Sequence, residues 1–182
     1  AEHTLNHSHP FIRHWTIRLL GDDHLMTTTL RAKLIALAKT ETNAEVRSCL
    51  AASCKRWAAK DSFPILAALI RRDEDVNDKH IPLLIWWSLE NKAGSDNSQV
   101  TKLLADKTLW RMPMMQTHLV KRIGQRFTAE RTPANLLTAA QLLALAPTNA
   151  DRDKLAIGME EGLRGNAVQN PPKALLAETV KL

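Results

Sequence analysis

The chain has no tyrosine, and rings of any kind are scarce: five tryptophans and three phenylalanines among 182 residues. It also lacks sustained apolar–polar alternation, the pattern of a half-buried strand. Two cysteines, Cys49 and Cys54, are too few for a disulfide framework. On one helix they would point in different directions. No apolar run approaches the roughly 20 residues that a membrane-spanning helix needs, so no membrane insertion by this chain is expected. The opening AEHTLNHSHP has neither the apolar core of a signal peptide nor an initiator methionine, and the expectation is a processed or excised piece of a longer protein. Catalytic signatures are missing as well: no glycine-rich phosphate loop, no Gly-x-Ser-x-Gly, no His-Glu-x-x-His. Neighbouring acids such as Asp22 and Asp23, or Glu160 and Glu161, fall at turns or on exposed faces, where a perturbed acidity is not expected. The chain is read as non-enzymatic, with no catalytic residue and no metal or cofactor of its own.

What it does have is helical rhythm. Apolar residues make up 45%, enough for a sizeable core. Leu30, Leu34 and Leu37 recur at helical spacing, as do Leu66, Leu69 and Ile70, then Leu119, Val120, Ile123 and Phe127. Turn formers fall between the runs: Gly21-Asp22-Asp23, Thr42-Asn43, Lys60-Asp61, Asn77-Asp78, Gly94-Ser95-Asp96, Thr132-Pro133, Pro147-Thr148-Asn149 and Asn170-Pro171-Pro172. Thr132 can cap a helix that opens on Pro133, and Asp61 one that runs through SFPILAALI. The pattern predicts about ten helices of roughly 10–16 residues on short loops, an all-α fold.

The helices repeat. HPFIRHWTIRLL (9–20), NAEVRSCLAASC (43–54) and DKHIPLLIWWSL (78–89) align with Ile12, Val46 and Ile81 in register, 34 and then 35 residues apart. Arg13 and Arg47 follow the first two anchors, and Pro82 follows the third. An amphipathic helix precedes the second and third copies. A helix pair at this period is the signature of an α-solenoid. The Trp, Gly, Tyr and Pro pattern of tetratricopeptide repeats is absent, and an apolar anchor followed by Arg is closer to a HEAT repeat. The expected architecture is a HEAT-like α-α superhelix, a right-handed solenoid of about five helix pairs, irregular after residue 95. Residues 1–8 are expected to be a flexible lead-in and 9–170 the repeat domain. Residues 171–182 are read as a C-terminal helix or the start of a linker to a missing domain.

Candidate site residues fall into three groups. Trp86 and Trp87 are adjacent, so on a helix they point about 100° apart. One is expected inside its helix pair and the other against a neighbouring repeat, each burying about 150–250 Å². The alternative leaves one indole open in a concave groove. Trp15 and Trp57 belong with them as packing or interaction residues. Arg13 and Arg47 are read as a ladder, each fork pairing with a carboxylate or loop carbonyl of an adjoining repeat, with phosphate contact as the alternative. The third group is basic. There are 25 Lys and Arg against 19 Asp and Glu, giving +6 and a pI near 9.6. Lys55 and Arg56 flank Trp57, and Lys121, Arg122 and Arg126 form a stripe. Interspersed acids make a solvated face the preferred reading over a nucleic-acid track. His3, His7, His9 and His14 crowd a polar start, where solvent would compete with any metal.

The longer phrases HPFIRHWTIRLLGDD, VRSCLAASCKRW, DSFPILAALIRRDEDVNDKHIPLLIWWSLE, TPANLLTAAQLLALAP and GMEEGLRG resemble one family. It is the HEAT-repeat segment of large bacterial PVC-type haem-binding CxxCH proteins, also called membrane-bound dehydrogenase proteins. The resemblance covers roughly residues 9–165. It implies an exported parent with a sugar-dehydrogenase-like propeller before the helices and a c-type cytochrome domain after them. This chain has no Cys-x-x-Cys-His, so haem c would sit only on a missing domain. The expectation is a scaffold or protein-interaction module whose partners are protein domains, within the parent or outside it. The alternative resemblance is to HEAT-like alkylpurine DNA glycosylases, which are small, basic, all-α and hold duplex DNA in a concave groove. No aspartate between aromatic residues is present to serve as their catalytic carboxylate. Sequence does not separate the first reading from binding of an acidic partner protein on the basic face.

Overall fold

Side chains set most of the helix starts. Pro10 opens α1 (Pro10–Asp22), where its missing N–H is no loss, and His9 Nδ1 accepts from the Phe11 N–H at 3.2 Å. Thr27 caps α2 (Thr28–Thr40) and Asn43 caps α3 (Ala44–Cys54) by accepting a first-turn N–H. Then follow α4 (Ala59–Ile70) and α5 (Ile81–Ala93), the latter with Asp78 Oδ1 accepting from the His80 and Ile81 N–H groups at 2.8 Å each. The remaining helices are α6 (Asn97–Ala105), α7 (Lys107–Trp110), α8 (Val120–Ala129), α9 (Pro133–Leu145), α10 (Asn149–Leu163) and α11 (Lys173–Thr179). Thr132 and Thr148 cap α9 and α10. This computed structural model describes residues 2–94, 96–165 and 168–182; Ser95, in the expected turn at 94–96, lies outside them. Among the described residues there is no strand, and the fold is all-α.

Several expectations change. Asp61 is not the cap of α4: the helix begins two residues earlier, and Asp61 lies buried in its first turn, bonded to Arg31 at 2.7 Å. Gly21 and Asp22 do not break the chain but complete α1, and the Arg56 guanidinium lies across Gly21 where a Cβ would collide with it. At the start of the chain, Glu2–Asn6 form a 3₁₀ turn whose Leu5 is 1% exposed, tied to α1 by a Thr16–Thr4 hydroxyl bond of 2.7 Å. The chain divides into two compact units, one ending at Lys92 and the other starting at Ala93.

Unit 1 is solenoid-like. Helices pack on their next-but-one neighbours, α1 on α3 and α2 on α4, while α3 also touches α2 and α4. The stacking is hydrogen-bonded at a constant offset: Trp57 Nε1 donates to the Leu20 carbonyl, Ser88 Oγ to that of Ala51 and Lys92 Nζ to that of Lys55, each pair 37 residues apart. Between the layers lie Ile17, Leu34, Leu50, Ile65, Leu66 and Leu69, all with 0% exposure. Each such side chain contributes about 1.5–3 kcal/mol by leaving water.

Unit 2 also packs a helix on its next-but-one neighbour, through different contacts. Its tightest contact is α8 against α10, where glycines bring the backbones together. A Cβ at Gly158 would strike the Lys121 carbonyl, and one at Gly124 the Leu155 carbonyl. Thr128 Oγ1 donates across to the Met159 carbonyl at 3.0 Å. Helix α9 packs on α6, α8 and α11. A π-helical turn over Met115–Leu119 precedes α8, so the apolar run through Leu119 and Val120 begins out of α-register.

Candidate interaction surface

Arg13 and Arg47 occupy equivalent places in unit 1. Arg13 Nε and Nη2 donate to the two oxygens of Glu41 at 2.7 and 2.6 Å, and Nη1 donates to the His7 carbonyl at 2.7 Å. Arg47 makes the same fork to Asp75, with Nε at 2.7 Å, and Nη1 donates to the Glu41 carbonyl at 3.1 Å. In both cases the acid lies 28 residues after the arginine and the carbonyl six before it. Burial pushes the Glu41 carboxyl up, but hydrogen bonds from Arg13 and the Asn43 N–H outweigh it and hold its pKa below the ordinary value. The Asp75 bond raises Arg47 against the opposing effect of burial. These two arginines are internal ties, with side chains 14% and 5% exposed, and are not on the surface. Their acids were not singled out in the sequence, yet Glu41 and Asp75 stand at the repeat spacing and could have been found by it.

The same register exposes a contrast on α1. Val46, Cys49 and Ser53 are buried on the face of α3 that meets α1, at 0%, 8% and 0% exposure. Ile81 and Ser88, a further repeat along on α5, are at 0% and 1%, and Leu84 between them is half-buried. The corresponding residues of α1 are Ile12, Trp15 and Leu19, and these are 37%, 45% and 57% exposed. They form an open apolar flank at positions that elsewhere in the unit are covered by a stacked helix.

A second feature lies on the outer face of the α1–α3 pair. Two hollows of about 340 Å³ each share His14. The first is bounded by Pro10, Phe11, Asn43, Glu45 and Val46, with Phe11 63% exposed. The second is lined by Ser48, Cys49, Ala52 and Ser53 of α3, with Arg18, Lys55 and Arg56 around it. Arg56 Nη1 is bonded to Asp22 at 2.7 Å, whereas the Arg18 guanidinium sits 5.9 Å over the Trp15 ring. Leu83 and Trp87 on α5 are also open, at 37% and 48%.

The tryptophans therefore separate. Trp57 and Trp110 are buried, and Trp110 Nε1 donates to the Leu104 carbonyl at 2.9 Å. Trp86 is half-buried, but Trp87 does not make the full packing expected of it. Ile81, Ile85 and Ser88 fill the inner side of α5, and Trp87, two residues and so about 200° round the helix from Ile85, faces outward. In unit 2 the basic stripe is partly engaged: Lys121 pairs with Glu161 at 2.7 Å, Arg126 with Glu130 at 2.9 Å, and Arg122 Nη1 donates to the His118 carbonyl. Charge used in this way is withdrawn from a phosphate track. His7 and His9 bond to the backbone of α1's entry, and His14 Nδ1 lies 3.3 Å from the Glu45 carbonyl. Among the described residues no three of His, Cys, Asp or Glu are grouped to hold a metal ion, and no helix is long and apolar enough to cross a membrane.

No family model matches the chain, and neither the curated proteins nor the solved structures contain a significant match to it.

Proposed function

We propose that the chain is a non-catalytic helical-repeat scaffold that docks a neighbouring protein domain on the open flank of α1. The observation that carries this reading is the register contrast: Ile12, Trp15 and Leu19 are exposed where their equivalents on α3 and α5 are wholly or largely covered. A stack of helices buries such positions on the next helix, and the stack is open here. The occupant that fits is a helix lying on α1 as α1 lies on α3. The narrower setting comes from the quoted phrases alone. There the neighbours are a dehydrogenase-like propeller and a c-type cytochrome domain, and the module holds the oxidation site and haem at a set distance. A β-rich region before these residues in the gene and a Cys-x-x-Cys-His after them would support that setting; neither being encoded would remove it.

The flank itself is tested by labelling. Leu19→Cys places a thiol at the C-terminal and most exposed end of the flank. Cys49 and Cys54 give little background, because burial raises both thiols out of reach. In the 182-residue chain, maleimide should react with position 19 rapidly. In the natural assembly isolated from its source it should react at least tenfold more slowly. Equal rates in both would mean that nothing covers the flank.

A further inference from the structure

The outer-face hollows differ from the flank in their charge. Around the second hollow stand Arg18, Lys55 and Arg56, with His14 between the two hollows. The one carboxylate bound into this group is Asp22, which engages Arg56. Among the described residues no carboxylate pairs with Arg18 or Lys55, although both are exposed and nine acid–base pairs form elsewhere or beside them. Arg18 is held over the Trp15 ring, an arrangement that orients the guanidinium while leaving its donors free for a ligand. Next to this cationic hollow is a mostly apolar one of equal size, lined by Pro10, Phe11 and Val46 together with Asn43 and Glu45, whose carboxylate a ligand's acidic face must lie away from. The α3 residues that line it, Ser48, Cys49, Ala52 and Ser53, are all small, which lets a ligand approach the α1–α3 seam.

We propose that this face binds an acidic amphipathic helix of a partner protein. Its apolar stripe lies in the hollow against Phe11 and Pro10, and its carboxylates bond Arg18 and Lys55. Two adjoining hollows, one apolar and one cationic with unpaired donors, require both properties in one ligand about two helical turns long. A purely apolar ligand would leave the two cations without partners, and a purely ionic one would leave Phe11 in water. The basic excess of the chain assists encounter with such a partner.

The test uses fluorescence anisotropy with three labelled 15-residue peptides: a Leu/Glu amphipathic helix, its Leu/Lys counterpart, and a Gly/Glu peptide of equal negative charge. The Leu/Glu helix should bind the folded chain at least tenfold more tightly than either of the others. Arg18→Glu combined with Lys55→Glu should weaken it at least tenfold and shift preference toward the Leu/Lys helix. Phe11→Ser should weaken it several-fold, and Lys173→Glu, on α11, should leave it unchanged. Circular dichroism melts of each variant verify that folding is retained, and a single Lys55→Glu variant serves if the double one does not fold. Equal binding of the Leu/Glu and Leu/Lys helices would overturn the proposal. So would binding that survives both charge reversals, or tighter binding of a short DNA duplex that weakens steeply with salt. Leu19 plays no part in this contact, so failure here leaves the flank reading standing, and the converse also holds.

Discussion

Replacing Arg47 by Met offers the sharpest test of what holds unit 1 together. The Arg47 and Asp75 side chains are 5% and 1% exposed, joined by two parallel N–H···O bonds, and the third arm of the guanidinium reaches the Glu41 carbonyl. Methionine fills much of the same volume but leaves the Asp75 carboxylate buried without its cation. Removing one member of such a pair typically costs about 3–5 kcal/mol. A unit of 92 residues at the usual marginal stability holds roughly 5–14 kcal/mol in all, so the loss would be a large share of it. Urea unfolding followed by tryptophan emission is a suitable assay, since Trp15, Trp57, Trp86 and Trp87 report unit 1 and Trp110 alone lies in unit 2. With an m-value of about 1 kcal/mol/M for a unit of this size, the midpoint should fall by about 3 M or more. Arg47→Met with Asp75→Leu removes both charges and should recover most of that loss, because a well-packed apolar pair can replace a buried ionic one. A single-variant loss under about 1 kcal/mol, or a double variant no better than the single, would refute the view that a desolvated ion pair ties these repeats.

Two further perturbations follow from the same geometry. In unit 2, Gly158→Ala places a methyl against the Lys121 carbonyl, a backbone atom that cannot swing away. Despite the better helix propensity of alanine, a net loss of about 1–3 kcal/mol is expected by urea unfolding read at Trp110, and a gain would show that α8 and α10 are not in backbone contact. In acid, Glu41 and Asp78 should both report. Burial raises each carboxyl, but hydrogen bonds to Glu41 from Arg13 and the Asn43 N–H, and to Asp78 from the Ile81 and His80 N–H groups, bring the folded values below the ordinary 4.5 and 3.8. Groups so depressed stabilise fully above their unfolded pKa, and that stability is lost as pH falls through the folded value. The urea midpoint should therefore drop below about pH 4.5, and the drop should be shallower in Arg13→Met; identical acid limbs in the two proteins would remove Glu41 as a contributor.

Much of unit 1 was legible in the chain because its contacts recur. Ile12, Val46 and Ile81 mark a period, and anything at that period is under the same geometric demand, whether it is the arginine at 13 and 47 or the acid at 41 and 75. What could not be read from type alone was exposure. Trp15 and Leu19 are large apolar residues at helical spacing and Ser53 is polar, yet the first two are open and Ser53 is covered. Apolar character states what a position would gain by burial; only the presence of a neighbour decides whether it is buried. Asp61 misled for a related reason, since a carboxylate before an apolar run suits both a cap and a first-turn partner for a distant cation, and Arg31 lies 30 residues away.

The end of the ladder shows why the second unit had to be built on other terms. For Arg13 and Arg47 the tie needs a fork one place after the anchor and an acid 28 residues on. At the third anchor the fork is missing: Pro82 sits in the first turn of α5, where its lack of an N–H does no harm, but it has no donor to extend. The acid is missing too, because 28 residues after Pro82 stands Trp110, itself 0% exposed. With both halves gone, the arginine–acid tie does not extend past α5. Unit 2 instead brings α8 and α10 together through Gly124, Gly158 and Gly162, whose approach depends on the absence of side chains and so leaves no repeating apolar signature to read. The loss of a periodic tie and the arrival of glycine contacts are thus two parts of one change in how helices are joined, and a chain carrying Pro82→Arg alone should not regain the ladder, because the carboxylate it would need is not there.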